Sequence, residues 1–283
     1  MKVAIGTCKK LPEPDVDEGL LLAALAAKGV EPRMLAWDDE AARPDEGELV
    51  VLRSTWNYYE DVERFLAWIT RTGEATRLLN PPAVVRGNAR KTYLRDLEQR
   101  GIDVVPTEWA LRGEPRRPVS AIMSDRGWDA IVIKPVVSAG SFLTQRFDRA
   151  EQEQAQRFLD DVAGQRDAMI QRWMPSVDTY GERSLVWIDG ALTHAIRKSP
   201  RFIGNREAVS GEVPIAPKER AFAERVLAPL LDDILYARVD MVEDETGTVR
   251  LMELELIEPS LFLKQCPAAL ERLASGIVER AKR

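Results

Sequence analysis

Short apolar runs and helical spacing alternate along the first 75 residues. Continuous apolar runs at 2–7, 31–37 and 49–52 predict buried strands, whereas the apolar positions of 17–28 and 62–72 recur at helical spacing. A strand–helix–strand–helix order is typical of a parallel sheet, whose ligands gather at the carboxyl ends of the strands. The pattern therefore predicts an α/β unit at the start of the chain, with its functional edge at those strand ends.

The later part of the chain combines helices with hairpins, so the fold class that we expect is α/β (α+β). Helical spacing recurs at 88–100, 149–164, 219–228 and 267–282, and strand-like apolar runs lie at 102–106, 129–134 and 168–174. One hairpin is predicted to turn at Asp189-Gly190, and a second joins 236–242 to the run that begins at residue 250. The polar segment 199–217 is long for a loop, which is typical of mobile or functional segments.

The second hairpin interrupts its apolar run with carboxylates. Glu253 and Glu255 share one strand face, and a four-residue loop at 245–248 would place Asp240 opposite Glu253, with Arg238 on the same face. Like charges at such separations repel by roughly 4 kcal/mol at an effective dielectric constant near 20, so a cation is expected among them. Hard oxygen ligands favour Mg²⁺ or Mn²⁺. The alternative is an exposed hairpin face whose acids are solvated.

A polar segment follows the third predicted strand. It combines a cation, hydroxyl groups and an amide directly after the strand, where loops commonly bind ligands. We therefore expect a substrate-facing loop made of Arg53, Ser54, Thr55, Trp56 and Asn57. In the structural alternative, Trp56 and Tyr58 are core aromatics and Arg53 pairs with a nearby aspartate.

Two lysines are candidates for binding an anion. Lys91 would lie in the first turn of the helix predicted at 88–100, and Lys134 ends a buried strand. After Lys134 come the small residues Ser138, Ala139, Gly140 and Ser141. Small residues let backbone N–H groups approach a phosphate, although the spacing is not that of a P-loop. The alternatives are a solvated lysine at Lys91 and a tight turn at 138–141.

Composition narrows the class of protein. The 283 residues carry a formal net charge of −6, which argues against non-specific binding of nucleic acid. The chain has two cysteines and a single histidine, His194, too few for a disulfide framework or a histidine-rich metal site. The beginning lacks a signal-peptide pattern and no apolar run approaches eighteen residues. We therefore expect a cytoplasmic protein that binds neither membranes nor nucleic acid.

The order of these features resembles the ATP-grasp superfamily from about residue 79 onward. The resemblance implies an N-terminal Rossmann-like pre-ATP-grasp domain at 1–84, ending near Asn80-Pro81-Pro82, and an ATP-grasp domain at 85–283 with a mobile lid at about 115–175. It also implies roles for the candidate residues. Lys91 and Lys134 would contact the phosphates of ATP, and the small-residue loop 138–141 would close over them.

The same resemblance implies the rest of the site. Adenine would be bordered by Gln171, Arg172, Trp173 and Met174 through backbone hydrogen bonds, and Glu182 would bind the ribose hydroxyls. The metal ligands would be Asp240, Glu253 and Glu255; many family members have Glu-x-Asn where this chain has Glu253-Leu254-Glu255. The candidates for stabilising the transferring phosphoryl group are Arg238, Arg197 and Lys198.

A more specific resemblance is to the branch that contains the ligase closing the cycloserine ring from O-ureido-serine. The segments that carry it include LRSTWNYYEDVERFLAWI, from residue 52, and MELELIEPSLFL, from residue 252. It implies an ATP- and Mg²⁺-dependent carboxylate–amine ligase that uses an acylphosphate on a small amino-acid-like substrate and acts in antibiotic biosynthesis. Related enzymes often form homo-oligomers, and the sequence leaves the oligomeric state of this chain open. The alternatives are an ATP-grasp phosphotransferase and a non-catalytic nucleotide-binding regulator.

Overall fold

The computed structural model describes residues 1–199 and 208–282, and the first of its three sheets is wholly parallel. Strands β1 to β4 lie in the order β2-β1-β3-β4, and their bounds are Lys2–Thr7, Glu31–Ala36, Leu49–Ser54 and Arg77–Leu79. Helices α1, Glu18–Ala27, and α2, Val62–Ala75, connect them. Asp61 accepts a hydrogen bond from the N–H of Arg64 and thereby caps α2. The predicted parallel arrangement is confirmed.

The helix predicted at 88–100 is wrong at its beginning. The structure has two shorter helices, α3 at Pro82–Asn88 and α4 at Tyr93–Gln99, and Lys91 lies in the turn between them. In a continuous helix the N–H of Lys91 would donate to residue 87, but it donates to the carbonyl of Val136 at 2.9 Å. A tertiary hydrogen bond therefore replaces the helical one and brings Lys91 beside the loop that follows Lys134.

A second sheet of four strands is wholly antiparallel. Its strands β5 to β8 lie in the order β5-β8-β6-β7, with bounds Thr107–Ala110, Ala130–Pro135, Gln145–Asp148 and Ala168–Arg172. Helices α5, Val119–Arg126, and α6, Gln152–Gln165, pack their apolar faces on it. The predicted strands at 129–134 and 168–174 and the helix at 149–164 correspond to β6, β8 and α6.

The third sheet holds both predicted hairpins. Strands β9 to β13 lie in the order β11-β10-β9-β12-β13, with bounds Glu182–Ile188, Ala191–Ser199, Ala208–Val209, Tyr236–Glu243 and Val249–Glu255. Helices α7, Pro217–Leu227, and α8, Pro267–Ala281, complete the chain. Of the predicted loop 199–217, residues 200–207 lie outside the described residues. None of the helices in the described ranges has the length and apolar character needed to span a membrane.

The β12–β13 hairpin has the predicted register near Asp240, but its connection and its pairing nearer the turn differ from the prediction. Asp240 pairs with Glu253 and Arg238 with Glu255, as expected. The connection from Asp244 to Thr248 is one residue longer than predicted, and a β-bulge beside Asp240 offsets it, because Met241 pairs with Leu251. Met252 is therefore the extra residue of the bulge.

One buried asparagine joins the first sheet to the third. Asn80 follows β4 and is fully buried; its side-chain nitrogen donates to the carbonyls of Tyr236 and Leu256, at 2.9 and 2.8 Å, and its oxygen accepts from the N–H of Leu235 at 2.7 Å. The hydroxyl of Tyr236 lies 2.7 Å from the carbonyl of Leu52 in β3. Buried polar groups that keep all their partners fix the relative position of the elements they join.

Replacing Asn80 with alanine should strongly destabilise the protein. The change leaves three buried backbone groups without a partner, so we expect the free energy of unfolding to fall by about 3 to 5 kcal/mol, measured by urea denaturation. The exposed Gln154→Ala on α6 is the control and should stay within about 0.5 kcal/mol of the unchanged protein. A loss below about 1 kcal/mol in Asn80→Ala would show that this joint is not important for stability.

Candidate active site

A cavity of about 420 Å³ is lined by residues from the second and third sheets and by loop residues, among them Trp56 in the loop that follows β3. Most of the residues selected from the sequence meet there. They are Trp56, Lys91, Lys134, Ser138, Ala139, Gly140, Ser141, Gln171, Arg172, Trp173, Met174, Glu182, Lys198, Arg238, Asp240, Glu253 and Glu255.

Four of the five residues predicted for the substrate loop do not line the cavity. Arg53 and Ser54 still belong to β3 and are 2% and 0% exposed, and Thr55 is equally buried. Asn57 accepts a hydrogen bond from the indole N–H of Trp37, away from the cavity. These four residues therefore lie outside the cavity lining, and β3 buries Arg53 and Ser54 because it extends two residues further than its apolar run. Trp56 lines the cavity, and its indole N–H donates to the carbonyl of Glu258 at 2.9 Å.

Arg197 also points away from the cavity. Neighbouring side chains of a strand point to opposite faces, so Lys198 lines the cavity while Arg197 is exposed. The stem of Arg197 covers Gly181, where a Cβ atom would lie 2.5 Å from its Cγ. We therefore exclude Arg197 from the candidate catalytic residues, which are now Arg238 and Lys198.

One end of the cavity is suited to an anion. The ammonium group of Lys91 lies 2.8 Å from a carboxylate oxygen of Glu253 and donates to the carbonyl of Ser138 at 2.8 Å. Lys134 is buried beside them, and this burial lowers the pKa of its ammonium group. Gly140 and Ser141 have positive φ angles, which turn the loop across this end. Two lysines under a loop of small residues can hold phosphate groups.

An apolar part of the cavity could accept a flat ring. Val105, Met174 and Val177 pack together there, and Met252, the bulged residue of β13, joins them. The backbone N–H groups of Arg172 and Trp173 already donate to the carbonyls of Pro106 and Ala130. Adenine contacts from these two residues would therefore involve groups other than their N–H.

Four donors surround the buried carboxylate of Asp240. The guanidinium of Arg238 donates to its two oxygens at 2.9 and 2.8 Å, Lys198 lies 2.9 Å from Oδ2, and the hydroxyl of Ser184 donates to Oδ1 at 2.6 Å. Burial raises the pKa of Asp240, but Arg238 and Lys198 outweigh this effect and hold the pKa well below its usual range. Asp240 is therefore ionised, and it keeps both basic side chains in place.

The remaining two carboxylates of the predicted cation site have basic partners as well. Glu253 pairs with Lys91, and Glu255 with Arg238. Lys198 pairs with Glu182, so the residue predicted to bind ribose is held against a lysine. Burial raises the pKa of Glu182 despite this neighbouring ammonium group. The positive charge expected among these carboxylates is thus supplied first by basic side chains of the chain itself.

The metal prediction can be tested against the donor set. In the part of the chain that the structure describes, no group of three His, Cys, Asp or Glu side chains is arranged to hold a metal ion. Mg²⁺ usually takes only one or two carboxylates and completes its shell with water and substrate phosphates. Glu253 and Glu255 fit this role, with side chains 23% and 25% exposed, whereas Asp240, at 2%, is engaged by its four donors.

Sequence reasoning missed several residues of the cavity lining. They include Glu258, Tyr58 and Glu13, and burial together with the charge of Glu255 raises the pKa of Glu258 to about 8. Strand alternation could not place Glu258, because β13 ends at Glu255. The hydroxyl of Tyr93, also in the lining, accepts from the N–H of Leu254 at 2.9 Å. The sequence signal that could have identified Glu258 is its position as a third carboxylate shortly after Glu253 and Glu255.

Comparison with known proteins gives similarity over nearly the whole chain. The family model of the N-terminal domain of D-cycloserine synthetase DcsG matches residues 3–80. The cycloserine biosynthesis protein DcsG of Streptomyces lavendulae is 30% identical over 292 residues, which cover 95% of each chain. A crystal structure of D-cycloserine synthetase DcsG, 29% identical, superposes with a TM-score of 0.88 and covers 99% of this chain and 100% of that one.

A more distant structure shows the same ATP-grasp fold. The ATP-grasp ligase PsnB, solved with minimal precursor, Mg and ADP, is 17% identical and has a TM-score of 0.66, with 100% of this chain and 98% of that chain covered. The expected fold class is confirmed: this chain has the ATP-grasp fold, with parallel and antiparallel sheets.

The raised pKa of Glu258 predicts a pH-dependent stability. Between its ordinary pKa of 4.5 and about 8, the folded protein binds more protons than the unfolded chain, so its free energy of unfolding should fall as pH rises through this window. Glu258→Gln removes this effect, so its stability relative to the unchanged protein should rise from pH 5 to pH 8 by at most about 1.4 kcal/mol per pH unit. Urea denaturation at several pH values checks this. The control Gln154→Ala should show the same dependence of unfolding free energy on pH as the unchanged protein, and the same dependence in Glu258→Gln would contradict the prediction.

Proposed function

Because the chain belongs to the D-cycloserine synthetase family, whose members are ATP-dependent ATP-grasp ligases, we propose that it activates a substrate carboxylate as an acylphosphate and joins it to a nitrogen nucleophile. The observation that carries this proposal is the cavity itself. It combines Lys134, a lysine under a small-residue loop that has no ion-pair partner among the described residues, with the buried Arg238–Asp240–Lys198 network. These are the charges that phosphoryl transfer to a carboxylate requires.

The proposed substrate is a small amino acid that carries its own nitrogen nucleophile. The relative that matches most of the chain is named for cycloserine biosynthesis, and a matching structure is named D-cycloserine synthetase. We therefore propose ring closure of O-ureido-serine, and with it a role in antibiotic biosynthesis, as the reaction to test first. The cavity volume of about 420 Å³ supports a nucleotide together with a small molecule rather than a large acceptor.

ATP is proposed to lie along the cavity from the apolar part to the two lysines. Lys91 and Lys134 would bind its phosphates, and the loop 138–141 would cover them. Adenine would lie among Met174, Val177 and Met252, bordered by Gln171, Arg172 and Trp173, and Glu182 would bind ribose. We keep the proposed domains at 1–84 and 85–283, with a lid at about 115–175 whose closure would exclude water from the acylphosphate.

Magnesium is the proposed cofactor, and the donor set supports it. Glu253 and Glu255 would hold the ion, with Asp240 behind them as the anchor of Arg238 and Lys198. A bound Mg²⁺ supplies charge neutralisation on the phosphate oxygens. The ion would compete with Lys91 for Glu253, and this competition would release the lysine toward the phosphates.

The two chemical steps place different demands on the chain. In the first, a substrate carboxylate oxygen attacks the γ-phosphorus and ADP leaves. In the second, nitrogen attacks the acyl carbon, the bond from that carbon to the phosphate oxygen breaks, and the proton lost by nitrogen leaves with the phosphate or passes to water. Negative charge accumulates on oxygen in both steps. Arg238 is the proposed stabiliser, because Asp240 accepts from its Nε and Nη2 and so fixes the plane of the guanidinium. Lys198, held by Glu182 and Asp240, would support it.

The reaction can be tested by phosphate release from Mg·ATP over a panel of amino acids and ureido-amino acids that includes both enantiomers of O-ureido-serine. Mass spectrometry of each positive reaction should find ADP, phosphate and a condensed or cyclised product. A phosphorylated substrate without condensation would identify a phosphotransferase instead. Nucleotide binding without turnover of any compound would contradict the proposed reaction.

Lys134→Ala should reduce kcat/KM for ATP by about 10² to 10³-fold, because it removes the lysine proposed to bind the transferring phosphate. The control is Lys282→Ala, which removes an exposed lysine that does not line the cavity and should leave turnover unchanged. Circular dichroism should show both variants folded. Full activity of Lys134→Ala would refute the nucleotide assignment.

Glu253→Gln should raise the Mg²⁺ concentration needed for half-maximal activity by about tenfold, because it removes one anionic ligand. Glu243→Gln on the same hairpin is the matched control, since Glu243 pairs with Lys218 and does not line the cavity. Magnesium titrations of both variants check this. An unchanged requirement in Glu253→Gln would move the metal site elsewhere.

A further inference from the structure

Two ionisable side chains of the cavity have no ion-pair or hydrogen-bond partner within residues 1–199 and 208–282. They are Lys134 and Glu258. The other charged pairs of the lining are Lys91 with Glu253, Lys198 with Glu182 and Asp240, Arg238 with Asp240 and Glu255, and Arg172 with Glu245. Each of the two unpaired groups therefore selects the part of a ligand that carries the opposite charge.

Glu258 lies in the part of the cavity beside the loop that follows β3. The backbone there is fixed, because the indole N–H of Trp56 donates to the Glu258 carbonyl at 2.9 Å. Tyr58 lies close enough that Glu258 is the charge that most raises the pKa of its buried phenol, after burial itself. Arg238 donates to the carbonyl of Ser260 at 3.2 Å, so the catalytic arginine borders the same part of the cavity.

We propose that Glu258 binds the ammonium group of the amino-acid substrate and thereby determines which carboxylic acids are activated. This inference deepens the proposed function and rests on it. In an α-amino acid the ammonium group and the carboxylate are joined through one carbon atom. Glu258 and Arg238 line the same part of the cavity, so one substrate molecule can meet both. Glu258 would be a specificity-determining residue, with no proton transfer assigned to it.

An ammonium group fits this position better than a second metal ion. Glu258 offers a single carboxylate for a second ion, since the neighbouring Glu255 is already the proposed ligand of the first Mg²⁺. Mg²⁺ would need further oxygen ligands and several waters. The aromatic residues Trp56 and Tyr58 lie in the same part of the lining, and aromatic faces attract organic ammonium ions. The raised pKa of Glu258 agrees, because it shows that the isolated carboxylate is unfavourable until a positive group joins it.

The inference can be tested with O-ureido-serine and its analogue that lacks the α-amino group but keeps the carboxylate and the ureido-oxy group. Affinities are measured by calorimetry with Mg²⁺ and a non-hydrolysable ATP analogue, and turnover is measured in parallel with ATP. The unchanged protein should prefer the amino compound by about 100-fold. Glu258→Gln should lose at least tenfold of this preference and keep its affinity for the analogue.

Three results would overturn the inference. They are equal binding of the two compounds by the unchanged protein, an undiminished preference in Glu258→Gln, and an increased Mg²⁺ requirement in that variant, which would assign Glu258 to the metal. Glu243→Gln is the control and should keep the full preference. Preferential binding of the amino compound without turnover would refute the proposed reaction and leave the ammonium site supported.

Discussion

The buried carboxylate of Asp240 is the interaction on which the candidate active site depends. A buried charge is expensive unless it is paired and hydrogen-bonded, and Asp240 meets this condition with donors from Arg238, Lys198 and Ser184. The same contacts hold an arginine and a lysine in fixed positions within the cavity. Charges that are already in place need no reorganisation when negative charge develops on a reacting group. The cost of burying Asp240 thus contributes to an electrostatically prepared site.

The position of this network relative to the first sheet depends on backbone groups that meet at one joint. Asn80 satisfies three backbone groups of the third sheet and its extension, and Tyr236 reaches back to β3. The joint places the Trp56 loop beside the segment that follows β13, where the indole of Trp56 contacts Glu258. The first sheet therefore contributes to the site less through its own polar residues than by closing one end of the cavity.

The charge pairs divide the cavity into parts with different ligands. Most basic and acidic side chains of the cavity form ion pairs with one another, so they compete less for charged groups of a ligand. Lys134 and Glu258 are left as a basic and an acidic group without partners in the described part of the chain. A ligand with phosphates and a ligand with an ammonium group would complement them, and ATP with an amino acid has these features. The ligase family that the comparisons identify and the charge distribution point in the same direction.

The sequence by itself determined the elements whose signals are local. Continuous apolar runs placed three of the four parallel strands, and turn residues and alternation placed both hairpins. Strand alternation also put Asp240, Glu253 and Glu255 on one face, although a bulge and a longer loop produced that register together. Only the tertiary structure decided which residues face the cavity. Lys91 lies outside a helix because its N–H donates to the distant carbonyl of Val136. Arg53 is buried because β3 extends past its apolar run, and Glu258 reaches the cavity from beyond the end of β13. These outcomes depend on partners far away in the chain, and local spacing carries no information about such partners.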